Sequence, residues 1–108
     1  MYPKTIHPEG WAPALGYANG MLMPDGTLHI GGQIGWDKDK KFVAKDFCGQ
    51  MQQILSNIAA IVQAAGGRVS DVGLLTWYVK DKSEYLANHR AIGQSYQRIF
   101  GKHFPAMS

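Results

Sequence analysis

The sequence predicts a single α+β domain in the order β-β-α-β-α, with two helices laid on one face of a sheet. Three observations predict it. Met51, Ile54, Leu55, Ile58, Ile61, Val62 and Ala65 are spaced 3, 1, 3, 3, 1 and 3 apart, an apolar stripe at helical period. The run "GYANGMLM", a "PDG" turn and "TLHIGGQIG" form a hairpin pattern. "DVGLLTWYVKD" alternates apolar residues onto both faces of one strand.

Each element has a local reason. The first hairpin strand falls within Gly16 to Met23. Pro24 presets one backbone angle of the turn and Gly26 accepts a positive one. After it, Leu28, Ile30 and Ile34 share one face, with Thr27, His29 and Gln33 on the other. "WDKDKKFVAKD" is a connecting loop. The first helix spans about Asp46 to Ala65, with Gln50, Gln52, Gln53, Ser56, Asn57 and Gln63 on its polar side, and Gly66-Gly67 stops it. The following strand places Val72, Leu74 and Tyr78 on one face and Leu75, Trp77 and Val79 on the other. One helix layer covers one face, and a second copy of the chain is the simplest cover for the other. Asp81 and Glu84 make a capping box for a second helix, whose stripe is Tyr85, Leu86, His89, Ile92, Tyr96, Ile99 and Phe100. Phe104-Pro105 ends it and reads as the start of a new strand, which is not expected to form before Ser108.

The totals fit one domain over residues 1–108. A chain of this size buries roughly 65% of its unfolded surface. With 45% hydrophobic and 18% charged residues it has no disorder signature. No apolar run reaches the length of a membrane span. The opening "MYPKTIHPEG" lacks the pattern of a secretory signal, and a single cysteine, Cys48, fits a reducing compartment, so a cytoplasmic protein is expected. The net charge of +3 comes from 11 Lys+Arg and 8 Asp+Glu. Its densest basic stretch, "DKDKK", alternates in sign and suits a solvated loop. With no arginine cluster or P-loop, nucleic acid is not expected as a partner.

Candidate chemistry is sparse. His7, His29, His89 and His103 lack ligand spacing, so neither a metal nor another cofactor is expected. Cys48 opens the first helix, where packing is the commoner role. "GGQIG" leads into a loop rather than a helix and does not cradle phosphate. Two adjacent glycines in a strand suit either an approaching ligand or close packing of a second backbone, and the residues alone leave both open.

The order of motifs from Tyr17 to Ser108 resembles the Rid family, also called YjgF/YER057c/UK114 or endoribonuclease L-PSP. Gly16-Tyr17-Ala18 is similar to its "YS", Gly31-Gly32-Gln33 to its "SGQ", and Gln50, Asn57 and Ala64-Ala65-Gly66 to its first helix. Asp71-Val72, Thr76, Tyr78 and Asp81 are similar to its strand, and Asn88, Tyr96 and Phe100 to its second helix. Pro105-Ala106-Met107-Ser108 is similar to its "PARS". The resemblance implies a chorismate-mutase-like β-β-α-β-α-β-β fold on a mixed sheet, assembled as a homotrimer with ligand clefts between subunits. It implies two closing strands after Ser108 and hence a natural chain that continues past it. It implies hydrolysis of enamines or imines, with substrate-binding positions at Tyr17, Gly31, Gly32, Asn88 and Met107; no catalytic residue is assigned. Where the family has an arginine for the substrate carboxylate, this chain has Met107; where it has a serine, Gly31; its late glutamate would follow Ser108. The expectation is a deaminase-like hydrolase with altered substrate preference. The alternatives are a catalytically silent trimer that binds a metabolite, and an RNase or translation inhibitor.

Overall fold

The computed structural model describes residues 3–33, 36–41, 47–75, 89–101 and 106–107. Its elements run β1 (Lys4–Ile6), β2 (Gly20–Leu22), β3 (Leu28–Ile30), α1 (Phe47–Ala64), a 3-10 turn (Val69–Asp71), β4 (Leu74–Leu75), α2 (His89–Phe100) and β5 (Ala106–Met107). This is a small α+β fold.

β1, β2 and β3 form an antiparallel sheet in chain order. Ile6, Gly20 and Ile30 stand side by side across it, and so do Thr5, Met21 and His29 one register on. Side chains alternate between faces, so the first trio lies on one side and the second on the other. The Gly20 face meets α1: a Cβ at Gly20 would sit 2.9 Å from Ile61 Cγ2 and 3.3 Å from Ile6 Cβ. Glycine is required there because backbone and helix approach closely. The β2–β3 turn forms where Pro24 and Gly26 place it. Met23 N–H donates to the Thr27 carbonyl at 2.8 Å, Thr27 N–H donates to Asp25 Oδ1 at 2.9 Å, and Gly26 takes φ +90°.

α1 follows its apolar stripe. Met51, Leu55, Ile61 and Val62 are buried, and Gln52, Ser56 and Gln63 are exposed. It closes in a Schellman motif: Gly67 N–H donates to the Val62 carbonyl, Gly66 N–H to the Gln63 carbonyl, both at 2.9 Å, and Gly66 takes φ +88°. Leu55 packs with Tyr96 and Phe100 of α2, whose rings stack 5.0 Å apart, and Ile58, Val69, Val72 and Ile99 close around them. Burying each such side chain contributes roughly 1.5–3 kcal/mol. α2 ends at Gly101, whose N–H donates to the Gln97 carbonyl at 2.9 Å.

Four features depart from the sequence reading. Lys4–Ile6, to which the sequence reading assigned no element, adds an edge strand because its short Lys-Thr-Ile run pairs with β2. Asp71 and Val72 are not in a strand: the Asp71 carboxylate accepts the Arg68 N–H at 2.8 Å and closes a 3-10 turn, so the following strand begins at Leu74. Asn57 is not on a solvent face but only 3% exposed. A strand after Pro105, which the sequence reading did not expect to form before Ser108, is present: β5 pairs parallel to β4, Leu74 beside Ala106 and Leu75 beside Met107. Trp77, Tyr78, the Asp81 cap and Asn88 lie outside the described residues.

Candidate functional site

A shallow groove of about 400 Å³ opens where the chain preceding β2 crosses the edge strand β1. Thr5 and His7 line it from β1 and the residues just after it. Trp11, Pro13 and Ala14 line it from the following loop, and Tyr17, Ala18 and Asn19 from the approach to β2. Thr5 belongs to the sheet face turned away from α1, so the groove opens on the side opposite that helix.

Backbone bonds hold the groove's shape. Trp11 N–H donates to the Pro8 carbonyl at 3.2 Å. His7 Nε2 lies 3.1 Å from the Trp11 carbonyl; because a carbonyl only accepts, the ring nitrogen carries the proton in that bond. Ala12 N–H donates to the Lys38 carbonyl at 2.7 Å and so ties the groove to the loop after β3.

That loop is a tight turn. Asp37 N–H donates to the Lys41 carbonyl at 2.8 Å, and Lys40 N–H donates to the Asp37 carbonyl at 2.9 Å. The Asp37 carboxylate accepts the N–H groups of Asp39 and Lys41 at 2.8 and 3.0 Å. These bonds hold the Asp37 carboxyl below its usual range, the Lys41 N–H contributing most. The turn puts Lys40 at φ +62°, the one non-glycine residue with positive φ among those described. Its ammonium stands 5.4 Å from the centre of the Tyr17 ring.

Of the residues singled out from sequence, Tyr17 lines the groove and is 48% exposed. Gly31 joins the same region: its N–H donates to the Asn19 carbonyl at 2.9 Å, and a Cβ there would lie 3.2 Å from the Ala18 carbonyl oxygen. Close approach of a second backbone therefore accounts for Gly31. Gly32 has open space around its Cβ position. Met107 belongs to the separate β4–β5 ladder, and Asn88 lies outside the described residues. Trp11 and Lys40 were not singled out by sequence. Trp11, set between Pro8 and Pro13, carried a weak signal as an aromatic in a stiffened loop; Lys40 carried none, because its direction depends on the turn. No group of metal-ligating side chains occurs among the described residues, and no helix there is long and apolar enough to cross a membrane.

The endoribonuclease L-PSP family matches the chain over residues 9–108. A 2-iminobutanoate/2-iminopropanoate deaminase from Salmonella typhimurium is 36% identical over 97% of this chain and 81% of its own length. The RutC family protein UK114 of Drosophila melanogaster is 34% identical over 97% of this chain and 74% of its own. Among solved structures, the YjgF gene product of E. coli superposes with a TM-score of 0.77 at 34% identity, over 97% of this chain and 82% of that one. E. coli TdcF with bound serine has a TM-score of 0.77 at 28% identity and the same coverage.

Proposed function

The chain belongs to the endoribonuclease L-PSP family, the Rid or YjgF/UK114 group, and on that premise we propose that it is a hydrolytic deaminase of small enamine or imine metabolites with altered substrate preference. Water adds to the C=N carbon, and the resulting carbinolamine expels ammonia and leaves the carbonyl product. Nothing but water is consumed, so the chain's task is to hold the substrate and water together. The observation that carries the reading is the 36% identity over nearly the whole chain to a deaminase of 2-imino acids. TdcF with bound serine adds a relative that holds a small molecule carrying a carboxylate.

In this reading the chain assembles as a homotrimer with its ligand cleft between subunits. Leu15, 79% exposed, and the half-exposed Tyr17 support it, as does the sheet face carrying Thr5, Met21 and His29, which is turned away from α1. Tyr17, Gly31, Gly32, Asn88 and Met107 line the cleft, Met107 at the position of the family's carboxylate-binding arginine. Methionine has no charge and no N–H to offer a carboxylate. Losing a charge-assisted hydrogen bond costs roughly 1.5–3 kcal/mol, about a tenfold to hundredfold loss in rate where the bond acts in the transition state.

The test couples a dehydratase that generates a 2-imino acid to this protein and follows keto-acid release. The chain should turn the imine over more slowly than a relative with arginine at this position, and Met107→Arg should raise the rate. Equal rates overturn the altered preference. Absence of turnover in both forms favours a silent metabolite-binding trimer, the reading that Met107 also supports.

A further inference from the structure

We propose that Lys40 is the anion-recognising residue of the groove, its ammonium receiving the carboxylate of a small 2-oxo or 2-imino acid beside the Tyr17 ring. The inference rests on the groove being part of the substrate cleft.

Its first support is placement. Lys40 Nζ stands 5.4 Å from the centre of a ring that lines the groove. A ring face attracts a cation without cancelling its charge, and it leaves the remaining N–H groups free to donate. The second is selection among neighbours. Lys38 spends its charge on Asp39, 3.2 Å away, whereas among the described residues no carboxylate pairs with Lys40. Lys41 is exposed; Lys40 is half-buried.

The third support is the backbone. A lysine at φ +62° is strained where glycine would be at ease. The strain is held by the Asp37 carboxylate and by the Ala12–Lys38 backbone bond, which secures the turn beside the groove. Strain of this kind persists only where the surroundings over-determine it. The outcome is one cation carried on a braced turn over the Tyr17 ring. A lysine recognises an anion as a point charge rather than as a fork. It therefore admits a carboxylate in several orientations, which suits a cleft with Met107 in place of a guanidinium.

The test is equilibrium binding to the full chain, read by NMR titration with 2-oxobutanoate and with its uncharged analogue 2-oxobutanamide. The wild type should bind the acid about tenfold more tightly than the amide, a difference of ~1.4 kcal/mol. The preference should weaken with salt. Lys40→Gln and Lys40→Gly should lose it while still binding the amide, and Lys40→Arg should keep it. Tyr17 ring resonances should shift with the acid in the wild type. An acid preference that survives Lys40→Gln overturns the proposal; so does a wild type that binds the acid no better than the amide. Turnover is not read in this experiment, so a failure of imine hydrolysis is a separate result.

Discussion

The Asn57 side-chain amide donates to the Trp36 backbone carbonyl at 2.9 Å across 21 residues of chain. Gln53, one turn earlier on α1, donates to Asn57 Oδ1 at 2.9 Å and orients that amide. Asn57 is 3% exposed, so the bond forms away from bulk water. It ties the end of the glycine-containing segment after β3 to the main helix. The next residue, Asp37, begins the turn that carries Lys40 to Tyr17. A helix in the core thereby positions a cation at the groove.

Asn57→Ala should destabilise the protein by about 1–3 kcal/mol, because the Trp36 carbonyl and the Gln53 amide both lose this buried partner. Urea denaturation followed by circular dichroism reads the change. Amide exchange at Lys40 and Lys41 should quicken at the same time. A variant as stable as the wild type would show that water replaces Asn57 at no cost.

Gly20→Ala should cost roughly 1–3 kcal/mol through overpacking. The added methyl would lie 2.9 Å from Ile61 Cγ2, and Ile61 is fully buried with a stiff, branched side chain. Gly32→Ala, with nothing near its Cβ position, is the control and should change stability little.

Lys40→Gly should raise stability by about 1 kcal/mol, since it releases a lysine from the left-handed region. Thermal or chemical melts measure it. If Lys40 serves the groove, the same variant gains stability as it loses the acid preference, the pattern expected of a residue kept for function.

Stability should fall as the pH rises past about 10. Burial pushes the Tyr96 phenol above its ordinary value of 10.0. A raised value means that the folded state holds the proton where the unfolded state has released it. The contribution is therefore complete below 10.0 and is lost as the pH climbs through the folded value. Between pH 9 and 11, Tyr96→Phe should lose less stability than the wild type. Parallel slopes for the two proteins would remove Tyr96 as the cause.

Local pattern was enough for the elements that are stabilised locally. The stripe from Met51 to Ala65 and the glycines after it predicted α1 and its Schellman end, because helical period and a positive φ are properties of neighbouring residues. The Pro24–Gly26 turn was legible for the same reason. The order of short motifs made the family readable without any single strong signal. What tertiary structure alone decided depends on partners distant in sequence. Lys4–Ile6 becomes a strand because β2 is available to pair with it. Asn57, a polar residue on the expected solvent side, is buried because Trp36 offers a carbonyl. Gly31 is explained by the Ala18 carbonyl, and the groove by the loop around Trp11 and the approach to β2 at Tyr17 lining one space. Lys40 was one charge in a mixed run until the Asp37 turn set its direction. Periodicity encodes which face of an element is apolar; it does not encode which backbone atom, 10 or 20 residues away, will accept a particular N–H.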